Sequence, residues 1–239
     1  MMPGVDLSEI VILAAGMGTR LGRPFPKPLT PLADGTSIMK QQVDALKAAF
    51  PDVPVVIVVG FKLELIMEAF PDELYVYNEL YSETNTCKSL LKGLRAARGG
   101  GVLWLNGDVV FDAAVLAQVA SRISAGGSFV CVNTARVAEE EVKYTLDSDG
   151  YVDAISKTVE GALGEAVGIN YVAPSDIEAL IRRLDECADH EYFERGLELA
   201  IAGDGLKLGV LDISEYLCVE VDSQEDLETA NALRSGSRR

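Results

Sequence analysis

The chain has 239 residues, of which 49% are hydrophobic, and this is enough to bury the core of one large α/β domain. Its formal net charge of -16 argues against nonspecific binding to nucleic acid, which requires a basic surface. A single histidine, His190, excludes a zinc site built from several imidazoles and leaves one residue for any Ser/His or Cys/His dyad. Carboxylates with a divalent cation such as Mg²⁺ remain as the available chemistry.

The sequence carries no strong targeting or redox signal. No apolar run approaches the roughly 20 residues that a membrane span requires. Residues 1–9 contain two acids and no cationic stretch of the kind that opens a signal peptide. We therefore expect a cytoplasmic protein without a membrane partner. The four cysteines are far apart and lack CxxC spacing, so we expect reduced packing residues, with Cys87 lying beside a suspected binding loop.

Strand and helix patterns alternate through the first half of the chain. Nearly uninterrupted valine and isoleucine, as in 53–59, is typical of parallel strands covered on both faces. The expected strands are 10–13, 53–59, 74–77, 101–105 and 129–133, and the expected helices are 37–50, 61–70, one with the apolar stripe Cys87, Leu90, Leu91 and Leu94, and 113–123. In the third of these helices, Lys88, Lys92 and Arg95 are expected on a solvated face.

The rhythm changes beyond residue 140. Segments 143–146 and 151–156 flank the turn sequence DSDG and predict a β-hairpin. Further strands are expected at 167–172, 206–213 and 217–221, and the capping-box pairs Ser175/Glu178 and Ser223/Asp226 open two helices. We predict a Rossmann-like three-layer α/β/α fold with a mixed, mostly parallel sheet that the late strands rejoin. Residues 1–234 are expected to form one domain, with a hairpin and helix layer at 140–215, and residues 235–239 a disordered tail.

The stretch 13–32, LAAGMGTRLGRPFPKPLTPL, lies where the first strand should pass to a helix and has the composition of a polyphosphate-binding loop. Gly16 and Gly18 allow backbone N–H groups to approach an anion and tolerate positive φ. The positive charges of the loop are Arg20, Arg23 and Lys27. Residues 10–33 contain no acid. In a chain this acidic, such a gap provides the local positive field that a nucleoside triphosphate needs.

Two familiar phosphate motifs do not fit this loop. A G-x-G-x-x-G dinucleotide fingerprint needs glycine where Leu21 stands, and Gly22 comes one place too late. A P-loop requires Gly-Lys followed by Ser or Thr, whereas Lys27 lies between Pro26 and Pro28. The loop therefore belongs to neither of these two classes.

Two aspartates follow apolar strand patterns far apart in the sequence. Asp108 ends the segment GVLWLNGD and Asp222 ends VEVD, and ligands of open α/β sheets gather at the carboxyl ends of strands. Either aspartate alone is better explained as a turn former or a helix cap. Together they could hold one Mg²⁺, which prefers one or two carboxylates with phosphate oxygens and water. Glu220 competes with Asp222, but strand alternation is expected to turn it away from Val221 and leave Asp222 at the tip.

The pattern L-A-A-G-x-G-x-R, followed by a lysine between prolines, resembles the signature of the sugar-nucleotide and MobA-like nucleotidyltransferases. Later segments occur in a matching order: 78–81 (NELY), Asn85, 89–90 (SL), 155–157 (ISK), 164–169 (GEAVGI), 192–193 (YF) and 220–227 (EVDSQEDL). Together they are similar to the cytidylyltransferases that activate phosphocholine, inositol phosphate or phosphonates. The resemblance spans Ile10 to about Ala232. The proline-rich segment 23–28 is closer to sugar-nucleotide enzymes, which leaves the base and the acceptor open.

This resemblance implies Mg²⁺-dependent transfer of a nucleotidyl group, with CTP as the favoured donor, to a small phosphate or phosphonate acceptor with release of pyrophosphate. In the family two such aspartates bind the metal, and here they would be Asp108 and Asp222. The implied nucleotide-binding residues are Leu13, Ala14, Ala15, Gly16, Met17, Gly18, Thr19, Arg20 and Lys27, the last two reaching the β- and γ-phosphates. The implied catalytic residues are Arg20, Lys27 and Lys157. The implied acceptor-binding residues are Asn78, Tyr81, Asn85, Glu165 and Tyr192.

Several of these residues have structural alternatives. Lys157 could be a solvated lysine at a strand end or a contact to the α-phosphate or the acceptor phosphate. Glu165 could be a rim carboxylate or an acceptor contact. The acidic and aromatic segment 185–194 could hold a cationic head group, or it could form an amphipathic helix with Tyr192 and Phe193 partly in the core.

The polar residues of segment 78–85 are open to a similar choice. Asn78, Tyr81 and Asn85 could be loop formers, or they could read the acceptor or position the loop over it. Asn85 could also cap the helix that begins near Cys87.

Two other functions remain open at this point. One is a sugar-1-phosphate or molybdopterin nucleotidyltransferase, which shares the front half of the motif set. The other is a nucleotide sensor that keeps the loop without turnover, although nucleotide binding alone does not require both aspartates and Lys157. A homodimer is compatible with the sequence.

Overall fold

The computed structural model describes residues 6–18, 22–135, 137 and 140–236, and for 233–236 the backbone alone. The strands are β1 (Glu9–Ala14), β2 (Val55–Val59), β3 (Leu74–Tyr77), β4 (Val102–Asn106), β5 (Val109–Phe111), β6 (Phe129–Asn133), β7 (Lys143–Leu146), β8 (Val152–Ser156), β9 (Gly164–Val172), β10 (Gly209–Asp212) and β11 (Cys218–Glu220). The α-helices are α1 (Ile38–Ala49), α2 (Leu63–Ala69), α3 (Thr86–Ala96), α4 (Val115–Ala125), α5 (Ile177–Glu186), α6 (Phe193–Asp204) and α7 (Gln224–Gly236). A 3-10 helix, Lys27–Leu29, lies between β1 and α1.

Most strands join one mixed sheet in the order β10-β6-β9-β4-β1-β2-β3. β1 pairs in parallel with β2 and β4, β2 pairs in parallel with β3, and β10 with β6. β9 runs antiparallel between β4 and β6, so β6 and β10 point the same way as β1 to β4. The β7–β8 hairpin joins the sheet through β9. These pairings confirm the predicted mixed, mostly parallel sheet and the hairpin.

Helices cover both faces of this sheet. On β1, Ile10 and Ile12 pack into one core with residues of α1, α2 and α4. Val11 and Leu13 pack into the other core with residues of α3, α5 and α6. All of β1 is buried, which explains why the strand is apolar from Ile10 onward. The predicted three-layer α/β/α architecture is confirmed.

The last strand does not join the main sheet. β11 pairs antiparallel with β5 in a separate two-stranded sheet, in which Glu220 lies opposite Val109. The prediction that the late strands rejoin the main sheet therefore holds for β10 and is wrong for β11, because β5 turns away from β4 and offers β11 an edge. A small core covers this ribbon and consists of Leu32, Ile38, Val110, Val219, Val221, Leu227 and Ala230.

The chain does not pass directly from β1 to a helix. α1 begins only at Ile38, after the 3-10 helix, and Ser37 caps it by accepting a hydrogen bond from the Lys40 amide at 3.1 Å. The prolines between residues 24 and 31 explain the difference from the predicted strand-to-helix transition, because they lack N–H donors and interrupt helical hydrogen bonding. The glycine- and proline-rich segment is therefore irregular and ends in a single 3-10 turn.

One of the two predicted capping boxes forms. At the start of α7 the Ser223 amide donates to Asp226 Oδ2 at 2.7 Å, and the Asp226 amide donates to Ser223 Oγ at 3.2 Å. The prediction for Ser175 is wrong. The N-cap of α5 is Asp176, and Ser175 Oγ donates to the Asp176 carboxylate, which also accepts from Ser128, instead of capping the helix.

Three smaller predictions can be compared with the structure. Among the described residues no helix has the length and apolar character needed to cross a bilayer. All four cysteines are free and buried, as expected of packing residues. α7 continues to Gly236, so the first two residues of the predicted tail are helical, while 237–239 lie outside the described residues.

Candidate active site

A cleft of about 320 Å³ lies at the carboxyl ends of β1 and β4. Its lining residues from these strand ends are Leu13, Ala14, Asn106, Gly107 and Asp108. The other lining residues are Gly16, Gly18, Lys27, Pro28, Asn85, Thr86, Lys157, Tyr192, Glu220 and Asp222. Ligands of open α/β sheets bind at this edge, so the cleft is the candidate active site.

Gly18 allows the loop after β1 to lie against Lys27. Its φ is +59°, in the left-handed region that favours glycine. A Cβ at this position would lie 2.8 Å from the Cβ of Lys27, so a side chain here would displace that lysine. The sequence prediction of a glycine that permits close approach is correct in geometry, and the group approached is the Lys27 side chain.

Part of the predicted nucleotide-binding segment faces elsewhere. Ala15 does not line the cleft, and its carbonyl oxygen accepts a hydrogen bond from the Phe61 amide at 3.0 Å. Met17 is exposed and also lies outside the lining. Thr19 and Arg20, the latter predicted to be catalytic, lie outside the described residues.

Lys27 is the buried cation of the cleft. Its Nζ contacts Asp108 Oδ2 at 2.7 Å and also contacts Asp222 Oδ1. Burial alone would lower the pKa of Lys27, but the two carboxylates raise it above its ordinary value. The side chain is therefore an ammonium at neutral pH. The motif predicts Lys27 on the β- and γ-phosphates, whereas the structure pairs it with the two aspartates.

The turn between β4 and β5 positions Asp108. Gln42, a fully buried residue of α1, donates from Nε2 to the carbonyl oxygens of Asn106 at 2.9 Å and Val109 at 2.8 Å, on either side of Asp108. Gly107 lets the turn lie against β1, since a Cβ there would be 2.7 Å from a β1 carbonyl oxygen. The sequence analysis assigned no role to Gln42, although a polar residue on the inward side of a helix was a usable signal.

Replacing Gln42 with alanine should lower the free energy of unfolding by about 2–4 kcal/mol, because two buried carbonyl groups lose their donor and a cavity is left. Chemical denaturation measures this loss. Gln41→Ala is the matched control, since Gln41 donates one partly buried hydrogen bond to Phe111, and its loss should cost about 1 kcal/mol. Equal losses for the two variants would contradict the role given to Gln42.

Backbone hydrogen bonds hold Asp222 beside Asp108. The Val221 amide donates to the Asp108 carbonyl oxygen at 3.0 Å. The Asp222 amide donates to Asp226 Oδ2 at 3.1 Å, which links the end of β11 to the capping box of α7. The two aspartates, more than 100 positions apart in the sequence, therefore meet through the β5–β11 ribbon.

Glu220 completes a carboxylate trio with Asp108 and Asp222. One oxygen from each lies within 4.8 Å of the others. Asp108 Oδ1 is buried and forms no hydrogen bond with a described residue. Burial, and then the charges of Asp108, Glu141 and Asp222, raise the pKa of Glu220 well above its ordinary value. Crowded carboxylate oxygens of this kind fit a hard divalent cation such as Mg²⁺.

Glu220 is a site residue that the sequence prediction set aside. Residues two apart in a strand share a face, so Glu220 and Asp222 both line the cleft. Val221, between them, is fully buried in the small core under α7. The expectation that Asp222 alone stands at the strand tip is wrong, and the alternation E-V-D was the signal for both acids.

The opposite wall of the cleft carries a second cation. Lys157 follows β8, and its Nζ lies 5.3 Å from the centroid of the Tyr192 ring. Beside them Asn85 caps α3, accepting from the Thr86 amide at 2.8 Å and donating to the His190 carbonyl oxygen at 3.3 Å. Asn85 therefore acts as the predicted cap and also lines the cleft.

Two predicted acceptor residues lie in the loop between β3 and α3, outside the lining of the cleft. Asn78 is 1% exposed, and its Nδ2 donates to Thr84 Oγ1 at 3.0 Å and Ser89 Oγ at 3.1 Å. Tyr81 packs against Phe61, with ring centroids 6.4 Å apart. Both contacts fit the alternative in which these residues form the loop that leads to α3.

Glu165 lies in an adjoining cavity of about 190 Å³. This cavity shares Glu220 with the cleft, and its other carboxylates are Glu141, Glu165, Glu225 and Asp226. Glu165 is 4% exposed, so the alternative of an open rim carboxylate is wrong. Burial, and then the charge of Glu165, raise the pKa of Glu141 above its ordinary value.

The basic residues of α3 are less solvated than predicted. Lys88 Nζ donates to three carbonyl oxygens at the end of α5, those of Leu184, Asp185 and Cys187. Lys92 pairs with Glu79, and Arg95 pairs with Asp185. Carbonyl groups at a helix C-terminus attract cations, which explains why α3 turns this face toward α5.

Segment 185–194 is not one helix, because it contains the end of α5, a connecting loop and the start of α6. Phe193 is buried and packs edge-on against Trp104, with ring centroids 5.6 Å apart. Tyr192 is 42% exposed and lines the cleft. The two aromatics are therefore divided between the core and the candidate site.

A glycine-rich turn after the first strand, with a lysine and carboxylates gathered at the strand ends, defines a nucleotide-type site in an α/β fold. The chain belongs to the MobA-like NTP transferase domain family, which it matches over residues 10–195. This match confirms the resemblance seen in the loop and at the strand ends.

The chain is similar to CMP-5'-(3-aminopropyl)phosphonate synthase from Streptomyces rubellomurinus, with 33% identity over 249 residues. The matched region covers 92% of this chain and 38% of the length of that relative. The chain therefore corresponds to one part of a longer protein.

Two solved structures share the fold. CTP:phosphocholine cytidylyltransferase from Streptococcus pneumoniae has a TM-score of 0.75 at 19% identity, covering 96% of this chain and 99% of that one. The inositol-1-phosphate CTP transferase from T. maritima has a TM-score of 0.75 at 18% identity, covering 97% of this chain and 98% of that one. At these identities the likeness establishes the fold.

Proposed function

We propose that this chain is a Mg²⁺-dependent nucleotidyltransferase that couples CTP to a small phosphate or phosphonate acceptor and releases pyrophosphate. The observation that carries this proposal is the meeting of Lys27 with the Asp108 and Asp222 carboxylates in one cleft, across from Lys157. The family match supports nucleotidyl transfer. The similarity to a CMP-phosphonate synthase favours cytidine and a phosphonate.

In the proposed reaction an acceptor oxygen attacks the α-phosphorus of CTP and forms a new P–O bond. The bond from the α-phosphorus to the α,β-bridging oxygen breaks, and pyrophosphate leaves with that oxygen. The acceptor is already an oxyanion near neutral pH, so no histidine has to remove a proton. The chain has to supply alignment and charge neutralisation.

The strand ends and the loop after β1 would bind the donor. The backbone amides near Gly16 and Gly18 would approach the β- and γ-phosphates. The other proposed donor-binding residues are Leu13, Ala14, Ala15, Met17, Thr19, Arg20 and Lys27. Lys27 would keep Asp108 and Asp222 in place and add its charge beside the leaving pyrophosphate.

The carboxylate trio is the proposed metal site. Its fit rests on three neighbouring carboxylate oxygens and on the buried Oδ1 of Asp108, which lacks a hydrogen-bond partner among the described residues. A Mg²⁺ ion bound there would withdraw charge from the α-phosphate and the leaving group. Glu220 would share in holding the ion, in addition to the two aspartates named by the motif.

The wall opposite Lys27 would bind the acceptor. Lys157 would attract the acceptor phosphate or phosphonate, with Tyr192 and Asn85 beside it. Asn78 and Tyr81 would act by holding the loop that carries Asn85. Because Glu165 lies in an acidic cavity that adjoins the cleft through Glu220, it would face the ammonium end of an aminoalkylphosphonate.

We also propose that residues 1–234 work as one domain. The small core under the β5–β11 ribbon joins Leu32 and Ile38, which follow the glycine- and proline-rich loop, to Val221 and Leu227 near the end of the chain. The two groups of residues that build the cleft therefore share packing as well as the site.

The test is a matrix of pyrophosphate-release assays with the purified chain and Mg²⁺. CTP, UTP, GTP and ATP are each combined with phosphocholine, 2-aminoethylphosphonate, 3-aminopropylphosphonate, inositol 1-phosphate and glucose 1-phosphate. The highest rate is expected for CTP with an aminoalkylphosphonate. Mass spectrometry of the product should then show a CMP group linked to the acceptor.

Other results of the matrix would replace this proposal. UTP or GTP with a hexose 1-phosphate as the fastest pair would favour a sugar-1-phosphate nucleotidyltransferase, and activity with a molybdopterin acceptor would favour that branch. Triphosphate binding without pyrophosphate release for any acceptor would favour a nucleotide sensor.

A further inference from the structure

Glu194 is a buried carboxylate that has no part in the reaction as proposed so far. It is the second residue of α6 and is 8% exposed. Its Oε2 is buried and forms no hydrogen bond with a described residue. A carboxylate in such surroundings is costly unless a nearby charge compensates it. The position of Glu194 therefore calls for a cationic partner.

The cation that acts on Glu194 is Lys157. Burial raises the pKa of Glu194 to about 7, while the Lys157 ammonium acts in the opposite direction and favours the ionised carboxylate. Glu198, one turn later on α6, raises this pKa further. The charged groups that act on Glu194 thus come from α6 itself and from the end of β8.

The start of α6 acts on Lys157 in two ways. The ring of Tyr192, the N-cap of α6, has its centroid 5.3 Å from the Lys157 Nζ. Glu194, two residues later, adds a negative charge. A lysine side chain is long and flexible, and both contacts restrict where its ammonium can lie. Since Lys157 lines the cleft, this restriction decides how the cation meets a ligand there.

We propose that Glu194 is a positioning residue that holds the Lys157 ammonium in the cleft, where it meets the phosphate or phosphonate group of the acceptor. This inference rests on the proposed function. The competing explanation is that a carboxylate in the first turn of a helix interacts favourably with the helix N-terminus. The two roles differ because only positioning depends on Lys157 and on the acceptor.

The first test is steady-state kinetics with CTP and the acceptor that gives the highest wild-type rate in the matrix, which is expected to be an aminoalkylphosphonate. At about pH 8, Glu194→Gln should lower kcat/KM for the acceptor about tenfold, mostly through KM, and leave KM for CTP within about twofold. Glu198→Gln, on the next turn of α6, should match the wild type within about twofold. In a Lys157→Met background, Glu194→Gln should have no further effect.

The pH profile provides a second readout. Below about pH 7 the protonated Glu194 resembles glutamine, and above it the ionised carboxylate acts on Lys157. The ratio of wild-type to Glu194→Gln kcat/KM should therefore rise from about one near pH 5.5 to about ten near pH 8.5. Taking the ratio cancels the titration of the acceptor itself.

Stability separates positioning from a purely structural role. The folded-state pKa lies above the ordinary value of 4.5, so the contribution of Glu194 to stability is largest below pH 4.5 and is lost as pH rises through about 7. Glu194→Gln should consequently be at least as thermally stable as the wild type near pH 8. The helix N-terminus role predicts lower stability for this variant.

The outcomes are distinct. A wild-type to variant ratio that stays constant with pH would overturn the positioning role, as would equal increases in KM for both substrates together with lost stability. An active wild type that Glu194→Gln leaves unchanged would refute this inference alone. A wild type that releases no pyrophosphate with any pair in the matrix would instead refute the proposed function.

Discussion

Asp222→Asn should lower the rate of pyrophosphate release by a factor on the order of 10² to 10³, with little change in melting temperature. The substitution removes one charge of the carboxylate trio and so weakens the hold on a cation beside the α-phosphate. Lys27 keeps Asp108 as a partner. The repulsion that raises the pKa of Glu220 also falls, so the fold does not lose stability in proportion to activity.

The measurement combines pyrophosphate release at saturating substrates with thermal unfolding. Asp44→Asn is the matched control, because Asp44 lies on the exposed face of α1 and pairs only with Lys40 among the contacts described for it. An exposed pair of this kind contributes about 0.5 kcal/mol or less. Wild-type turnover in Asp222→Asn would remove that residue from the proposed metal site.

Lys27→Met should lower turnover to a similar extent and, unlike Asp222→Asn, should also destabilise the fold. The Lys27 side chain is 10% exposed and contacts two carboxylates, so its removal leaves buried negative charge without compensation. We expect a loss of about 2–4 kcal/mol in the free energy of unfolding. Because the folded-state pKa of Lys27 is raised, its stabilisation is fully present below pH 10.5 and is lost only as pH rises above that value.

Chemical denaturation near pH 8 and pyrophosphate release test this second prediction. Lys40→Met replaces an exposed lysine of α1 and should change neither quantity appreciably. Lys27→Arg keeps the charge and should recover part of the stability, but its larger planar group should not restore turnover. Full turnover in Lys27→Met, or an equal loss of stability in Lys40→Met, would contradict the role given to Lys27.

The first half of the fold could be predicted because its strands are buried on both faces. In β1 and β2 this burial appears in the sequence as short runs of valine, isoleucine and leucine. β9 was harder to predict, and only its second part was recognised. All nine of its residues are buried, but Gly164, Glu165 and Gly168 interrupt the apolar pattern that a buried strand normally shows.

The order of strands in the sheet depends on long-range pairing. β9 inserts between β4 and β6, although neither is its neighbour in the chain. β11 pairs with β5 because the Asn106-Gly107-Asp108 turn redirects the chain. Neither arrangement leaves a local pattern in the sequence, which explains why the separate ribbon was missed.

The candidate site was partly predictable for a similar reason. Lys27, Asp108 and Asp222 stand in a loop motif or at strand ends, where local patterns point to a ligand. Gln42 and Glu194 are recognisable only by what surrounds them, since one holds a turn from a neighbouring helix and the other acts on Lys157 from within the core. Such roles arise from tertiary contacts and not from sequence spacing.

The central claim is that the three carboxylates hold a divalent ion together with the nucleotide. Titration of Mn²⁺ in the presence of CTP, followed by the electron paramagnetic resonance signal of the free ion, tests it most directly. The wild type and Asp44→Asn should bind one ion per chain with the same affinity, and Asp108→Asn should bind it at least about tenfold more weakly. Unchanged stoichiometry and affinity in Asp108→Asn, Glu220→Gln and Asp222→Asn would contradict the account.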